Sequence, residues 1–318
     1  MRVIDLINSS KSTAFSFELL PPLKGAGVDK LYQNIDSLLE FNPKYINITT
    51  HHSEFIQRTL HSGEVVKQNI RKRPGTVAIA AAIQNKYGIT AIPHIICAGF
   101  SKAETEYALV DLQILGIHDL LVLQGDKGKM EPNFIPENES NKHAIELQGQ
   151  INQYNKGYFE DGTEMANKPS VPFSYGVAGY PEKHGEAVSM DSDIHYLKEK
   201  VKAGANYVVT QMFFDNSKYF EFVARCRAEG ITVPIIPGIK PIVFMNQLTV
   251  IPKIFSLTLP EPFATELAKC KTDEEAKQMG IEWSILQCKE LMEAGVPSLH
   301  FYTLMATDSV AKVAKEIY

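Results

Sequence analysis

Hydrophobic residues along the chain follow two spacings that succeed one another. The first spacing is helical, with apolar residues recurring every three or four positions. Two examples are Val28, Leu31, Tyr32, Ile35, Leu38 and Leu39, and Ile281, Ile285, Cys288 and Met292. The sequence from Thr272 to Glu275 is that of a capping box, which predicts the start of the second of these helices. The second spacing is a short run of nearly continuous apolar residues, typical of strands covered on both faces.

Glycine marks the change from one spacing to the other. A helical stretch ends at a glycine, an aliphatic residue or alanine follows, and a β-rich run begins about two residues later. The pattern occurs five times, at Gly88, Gly116, Gly204, Gly230 and Gly295. Glycine suits the left-handed backbone position that ends a helix. The repeating unit is therefore helix, stop and strand.

Eight strands are predicted in this way, near residues 14–18, 45–49, 92–96, 119–124, 174–179, 206–211, 234–237 and 298–303. Parallel strands alternating with helices predict an α/β protein, and eight such units that close on themselves form a (β/α)8 TIM barrel. An open, doubly wound sheet is the alternative. Against it, no GxGxxG follows the first strand, and the glycines from Gly125 to Lys129 have the wrong spacing for a dinucleotide or phosphate loop.

Residues 127–172 depart from this regular pattern. The segment is polar and rich in Asn, Glu and Gly, with one helix-like stretch near residues 143–151. We interpret it as an elaborated loop after the fourth strand, within a single barrel domain that spans residues 1–318. A small independent lobe in this segment is the alternative.

Composition narrows the class of ligand. With 318 residues, of which 44% are hydrophobic, the chain is long enough to bury a large core. A net charge of −5 argues against a nucleic acid or an anionic membrane as partner, and the basic run from Arg71 to Arg73 is typical of a solvated helix end. We therefore expect a small-molecule substrate.

The cysteines and the N-terminus indicate a reducing, cytoplasmic setting. Cys97, Cys226, Cys270 and Cys288 are widely separated and form no CxxC pair, which favours thiols over disulfides or a zinc site. The first residues contain no long apolar segment, and the apolar run 77–83 is too short to span a bilayer.

Glu18 is the most informative single residue. It ends the first predicted strand just before a Pro-Pro pair, which cannot continue a hydrogen-bonded ladder. Because side chains alternate along a strand, Phe15 and Phe17 face one side while Ser16 and Glu18 face the other. Glu18 should therefore lie at the mouth of the barrel, where such folds carry their active sites. A solvated glutamate at a loop entrance is the alternative.

Other polar residues also fall at predicted strand ends. They are Thr49, Thr50, His94, Gln124, Asp126, Tyr180, His184, Gln211, Tyr302 and Thr303. Together with Glu18, the set contains two carboxylates, Glu18 and Asp126, among mostly neutral hydrogen-bonding groups. Such a set suits proton transfer and the orientation of a flat, polar heterocycle. Taken singly, each of these residues has an ordinary structural explanation, as a strand, capping or rim residue.

Metal and hydrolase sites are less favoured. His51 and His52 are adjacent and would point to opposite sides of a strand, and the chain has no HxH, HExxH or cysteine cluster, so we expect no metal site. The GxSxG turn of a Ser-His-Asp hydrolase is also missing from the sequence.

Seven separated motifs resemble the methylenetetrahydrofolate reductase family. They are FSFELLPP (15–22), PHIICAG (93–99), VLQGD (122–126), GVAGYPEKH (176–184), KVKAGANYVVTQMFFD (200–215), IIPGIKPI (235–242) and HFYTL (300–304). The resemblance runs in order over nearly the whole chain, and the TIM barrel predicted above is also the fold of that family.

The resemblance implies a flavin enzyme that holds FAD noncovalently at the barrel mouth. Reduced nicotinamide, NADH or NADPH, gives a hydride to the flavin and leaves. 5,10-Methylenetetrahydrofolate then takes its place, accepts the hydride and becomes 5-methyltetrahydrofolate.

By the same resemblance, Glu18 is the general acid that protonates N10 of the folate, and its apolar neighbours are expected to keep it protonated near neutral pH. Asp126 is the acid beside the flavin and the pterin. Folate contacts are expected from Gln211, Gln247 and Tyr302. FAD contacts are expected from Thr49, His94, Gln124, Gly125, Asp126, Ala144, Tyr180, His184, Asp193 and Lys200, with His184 and Lys200 near its phosphates and ribose.

Three departures from the family pattern stand out. Where many relatives carry Asn-Arg after the YTL sequence, this chain has Met305 and Ala306, so a basic contact to the folate tail is missing. Gln124 replaces a common arginine, and Thr50 replaces a common aromatic residue.

Two other functions stay open at this point. One is another FAD-dependent barrel oxidoreductase, similar to proline dehydrogenase. The other is a barrel that binds flavin or folate without turnover. The sequence also leaves open the choice between NADH and NADPH, and whether the chain forms a homo-oligomer.

Overall fold

The computed structural model describes residues 2–50, 54–125, 139–304 and 306–318. Its strands are β1 (Ala14–Leu19), β2 (Tyr45–Ile48), β3 (Glu54–Thr59), β4 (Val65–Ile70), β5 (Thr90–Ile96), β6 (Asp119–Leu123), β7 (Ser174–Gly179), β8 (Tyr207–Met212), β9 (Ile235–Ile239) and β10 (Ser298–Tyr302). Its helices are α1 (Val3–Ser9), α2 (Asp29–Asp36), α3 (Thr76–Tyr87), α4 (Lys102–Ile114), α5 (Ala144–Asn155), α6 (Met190–Lys202), α7 (Asn216–Ala228), α8 (Gln247–Phe255), α9 (Glu261–Lys269), α10 (Asp273–Glu293) and α11 (Thr307–Ile317).

Eight parallel strands close into a barrel in the order β1, β10, β9, β8, β7, β6, β5, β2. The predicted TIM barrel is confirmed, and each predicted strand overlaps an observed one. The antiparallel hairpin of β3 and β4 lies outside the barrel and was not predicted. Its strands mix polar and apolar residues, so a search for continuous apolar runs passes over them.

The five glycine stops are also confirmed. Each of these glycines has a positive φ, between 65° and 118°. The capping box of α10 forms only in part: the Thr272 hydroxyl accepts a hydrogen bond from the Glu275 N–H at 3.2 Å, while the Glu275 carboxylate accepts from the Lys271 N–H at 2.6 Å. The glutamate therefore holds the residue before the cap rather than the cap itself.

Apolar residues form one layer outside the barrel strands and another inside the barrel. Phe15 and Phe17 belong to the outer layer, between the barrel and its helices. Inside the barrel, Val3 and Ile7 of α1 pack in a cluster that includes Tyr45, so α1 closes the N-terminal end of the barrel. A site that binds a ligand must therefore open at the opposite end, where the strands terminate.

α5 includes all but the first residue of the helix-like stretch predicted at residues 143–151, and it packs against β6 and α6. The wider interpretation of residues 127–172 as an elaborated loop in a single domain remains a prediction. Within the described part of the chain, no helix has both the length and the apolar character needed to cross a membrane.

Candidate active site

Glu18 lies near the end of β1 with only 6% of its surface exposed. The alternation of β1 turns it inward, and its Oε2 lies 3.5 Å from Nε2 of His94 on β5. Its backbone carbonyl accepts a hydrogen bond from the Thr303 hydroxyl at 2.6 Å. The geometry thus brings together Glu18 and His94, which are far apart in sequence and are both predicted site residues.

Tyr302 lies beside Glu18 on β10, opposite it in the strand register. Its hydroxyl donates to the Thr210 carbonyl at 2.6 Å. Its ring fits against Gly238 because a Cβ at that position would come within 2.5 Å of the ring. Burial, and next the charge of Glu18, raise the pKa of Tyr302 well above its ordinary value, so the phenol stays a neutral donor.

Lys240 is a site residue that the sequence reasoning missed. It follows β9, is 5% exposed, and has a pKa lowered to about 8 by burial, with the charge of Glu18 acting in the opposite direction. The available signal was a lone lysine in the apolar run IIPGIKPI, at the end of a predicted strand. The prediction of apolar neighbours for Glu18 is therefore incomplete. Strands that are distant in sequence add a cation, Lys240, and an imidazole, His94.

Asn47 was also missed. It is fully buried on β2, opposite Glu18 in the register. Among the described residues, neither its amide nitrogen nor its amide oxygen has a hydrogen-bond partner. An unpaired buried amide is costly, so it marks a place where a ligand or a water molecule completes the site.

A cavity of about 400 Å³ lies at the ends of β6 and β7. Six of the ten positions predicted to contact FAD line it, namely Gln124, Ala144, Tyr180, His184, Asp193 and Lys200. These residues span 77 positions of the sequence, from Gln124 to Lys200. The fold therefore brings together most of the predicted cofactor set.

The polar groups of this cavity are held in place by the protein. The Asp193 carboxylate accepts from the backbone N–H of His184 at 2.8 Å, and Lys200 Nζ donates to the Ala178 carbonyl at 3.0 Å. The rings of Tyr180 and His184 meet edge to face, with centroids 4.6 Å apart. Burial lowers the pKa of Lys200 to about 8, opposed by Asp193, and burial also lowers the pKa of His184. The result is a neutral imidazole beside a fixed cation and carboxylate.

The remaining predicted cofactor positions fall outside this lining. Thr49 follows β2, where its N–H donates to the Leu19 carbonyl. Gly125 has φ +88°, and a Cβ there would lie 2.8 Å from that of Ala98, so the position requires glycine. Asp126 lies outside the described residues, as do His51 and His52.

The two predicted folate-binding glutamines both use their side-chain oxygen locally. Gln211 Oε1 accepts from the Met212 N–H at 2.9 Å, close to a bulge in β8. Gln247 Oε1 accepts from the N–H groups of Val243 and Phe244, at 2.7 and 3.1 Å. Gln247 therefore holds the turn that leads into α8.

A model of the methylenetetrahydrofolate reductase family matches residues 2–318. The chain belongs to this family. It is 31% identical over 316 residues to a probable methylenetetrahydrofolate reductase (NADPH) of Caenorhabditis elegans, covering 99% of this chain and 43% of that protein. It is also 31% identical over 290 residues to the 5,10-methylenetetrahydrofolate reductase of Pectobacterium carotovorum, covering 91% of this chain and 85% of the relative.

The chain spans about half the length of the eukaryotic family members that it matches, between 43% and 48%. Among solved structures, it resembles an uncharacterized protein from Clostridium thermocellum that binds two copies of 5-methyl-5,6,7,8-tetrahydrofolic acid. The TM-score is 0.58 at 13% identity, with 98% of each chain covered. At that identity the likeness supports the barrel fold alone.

Proposed function

We propose that this protein reduces 5,10-methylenetetrahydrofolate to 5-methyltetrahydrofolate with NADH or NADPH, by a ping-pong hydride transfer that uses FAD. The observation that carries the proposal is the buried Glu18 carboxyl, which faces His94 inside the barrel mouth of a methylenetetrahydrofolate reductase family member. Reductive opening of the methylene bridge needs a proton at the departing nitrogen, and a positioned carboxyl can supply it.

The residues of the cavity beyond β6 and β7 suit a flavin dinucleotide. Lys200 would neutralise phosphate charge, the Asp193 carboxylate would accept from a ribose hydroxyl, and the Gln124 amide would bind the polar edge of the ring system. When bound, FAD would supply a redox group that holds the two electrons of the nicotinamide between the binding of one substrate and the next. The contacts of Asp193 with His184, and of Lys200 with Ala178, support this assignment because they fix the groups before a ligand arrives.

Glu18 would hold the proton that the folate half of the reaction requires. Its inward position excludes bulk water, so a proton lost from it goes to the bound substrate rather than to solvent. Tyr302 stays protonated beside it and fixes the wall of the site through Thr210. Gln211 and Gln247 are proposed to contact the pterin, and Asp126 to lie beside both the pterin and the flavin.

The test is Glu18→Gln, which keeps the shape of the side chain but cannot donate a proton. We expect flavin reduction by nicotinamide at nearly the wild-type rate. Reoxidation by methylenetetrahydrofolate should slow by at least about 100-fold, the usual effect of losing a general acid. Anaerobic stopped-flow absorbance measures both steps, and the exposed Glu316→Gln is the matched control.

Three results would contradict the proposal in different ways. A purified protein that binds no FAD, even with excess added, would rule out a flavin enzyme. A flavin that proline reduces and methylenetetrahydrofolate does not reoxidise would favour the dehydrogenase alternative. Wild-type reoxidation of the Glu18→Gln flavin would assign the proton to another group.

A further inference from the structure

The loop that follows β7 contacts the segment that follows α8. We call residues 180–187 the cofactor loop, because Tyr180 and His184 line the cavity described above. Between these two residues lies Glu182, and one of its carboxylate oxygens accepts hydrogen bonds from Thr258, both from the N–H, at 2.9 Å, and from the hydroxyl. The two partners are 76 positions apart in the sequence. The contact therefore links the predicted cofactor site to the C-terminal end of α8.

A second contact lies beside the first. A Cβ built at Gly185 would be 3.4 Å from the hydroxyl oxygen of Ser256, the residue directly after α8. Each side of the contact also holds a non-glycine residue with a left-handed backbone, Lys183 with φ 77° and Ser256 with φ 53°. Such a conformation costs free energy and persists only where the surrounding structure enforces it. The two segments therefore hold each other in a defined arrangement.

α8 belongs to the folate side of the proposed site. Gln247, a predicted folate contact, begins this helix. Ile251 of α8 lies in the same apolar cluster as Met212 of β8, and Tyr302 packs against that cluster. β8 lies between β7 and β9 in the barrel, so a link from the cofactor loop to α8 spans the end of β8. A shift of α8 would therefore displace Gln247 relative to Tyr302.

Glu182 has no role in the chemistry proposed above. Its second carboxylate oxygen is buried and has no hydrogen-bond partner among the described residues. Within that part of the chain, the hydrogen bonds from Thr258 are thus the ones that engage this carboxylate. Hydrogen bonds to a charged acceptor contribute more than neutral ones, so their loss should loosen the C-terminal end of α8.

We propose that Glu182 is a positioning residue that holds α8 in place for the folate, and that bound FAD strengthens this hold by ordering the cofactor loop. The inference rests on the proposed function. A ligand in contact with Tyr180 and His184 fixes the loop between them, and Glu182 passes that constraint to Thr258. FAD and the folate should therefore favour each other's binding. Such coupling is reciprocal, so each ligand tightens the binding of the other by the same factor.

The test measures this factor by binding alone. The change in FAD fluorescence gives the Kd of FAD with and without tetrahydrofolate, which has no methyl group to return to the flavin. In Glu182→Ala we expect the factor to fall at least about fivefold, because the hydrogen bonds to the carboxylate are lost. Thr258→Val should lose less, since its N–H can still donate. Glu182→Gln should stay close to the wild type, because its amide oxygen still accepts.

The double variant and a matched control complete this test. Glu182→Ala with Thr258→Val should lose no more than Glu182→Ala alone, because both changes remove the same link. Glu106→Ala is the control: Glu106 also accepts from a distant backbone N–H, that of Glu160, but it lies on α4, outside the barrel. An unchanged factor in Glu182→Ala would overturn the proposal. A double variant that loses the sum of the two single losses would overturn it as well.

Hydrogen exchange, followed by mass spectrometry, tests the link without a folate. Adding FAD to the wild type should slow exchange of the α8 amides at least about threefold. In Glu182→Ala this protection by FAD should be lost, while the amides of α11 exchange as in the wild type. If Glu182 only stabilised the local fold, exchange in α8 would be faster in the variant, yet FAD would still protect it. That result would contradict the proposal.

The measurements separate the possible failures. Protection of α8 by FAD that depends on Glu182, in a protein that never reduces methylenetetrahydrofolate, would refute the proposed function and leave the link between the two segments standing. Turnover of methylenetetrahydrofolate, with equal protection of α8 in the wild type and in Glu182→Ala, would refute the role of Glu182 and leave the proposed function standing.

Discussion

A single methyl group added at Gly280 should lower the free energy of unfolding strongly for so small a chemical change. It lies within α10, and a Cβ built there would meet the backbone of Ile242, 2.2 Å from its carbonyl oxygen and 2.8 Å from its nitrogen. Ordinary van der Waals contact begins at 3.4 Å, so α10 and the backbone at Ile242 must move apart by about 1 Å. Backbone atoms cannot rotate away as a flexible side chain can. Ile242 also lies two residues after Lys240, so the displacement would reach the site.

Two opposing effects set the size of the change in Gly280→Ala. Replacing glycine by alanine inside a helix stabilises it by roughly 0.5–1 kcal/mol. Overpacking a close contact destabilises by about 1–3 kcal/mol, and by more where backbone must move. The destabilising clash should therefore outweigh the gain in helix stability, and the free energy of unfolding should fall by about 1–2 kcal/mol.

The control is Gly149→Ala in α5, the same chemical change at an exposed helical position with no atom within 4 Å of the new Cβ. It should raise the free energy of unfolding by roughly 0.5–1 kcal/mol. Urea denaturation, followed by circular dichroism, measures both variants. If both stabilise the protein equally, α10 does not approach Ile242 as closely as described, and the reasoning fails.

Two further predictions concern buried charges. Burial raises the pKa of Asp119 from 3.8 to about 6, so stability should fall by roughly 3 kcal/mol as the pH rises through that interval. Asp119→Asn, which can still accept from the Val3 N–H, should remove this dependence, and a wild-type slope in urea titrations at several pH values would contradict it. Lys200→Met should weaken FAD binding at least about tenfold in fluorescence titrations, whereas the exposed Lys202→Met on the same helix should not.

The barrel could be predicted from the sequence because its signals are local. A glycine that ends a helix needs only its own positive φ, and each of the five predicted stops has one. A strand covered on both faces shows itself as an apolar run whatever its neighbours are. The alternation of β1 puts Glu18 on the face opposite Phe15 and Phe17, and since the helices cover those two rings, Glu18 faces inward.

Much of the candidate site could be predicted from the sequence for a related reason. Strands of a parallel barrel end at the same face, so polar residues at strand ends are expected to converge without knowledge of the packing. Tyr180, His184, Asp193 and Lys200 do line one cavity. The motifs that resemble the family supplied the positions that lie on helices, such as Asp193 and Lys200.

The sequence by itself therefore determined the succession of the eight barrel strands, and it favoured the closed barrel and the strand ends as the place where polar side chains converge. The tertiary structure alone decided which side chains face one another: Lys240 and His94 toward Glu18, the unpaired amide of Asn47 beside it, and Gly280 against the backbone of Ile242. The physical reason is range. Periodicity and backbone preference act over a few residues, whereas burial, charge pairing and close packing depend on residues that are tens to hundreds of positions apart and meet only when the barrel closes.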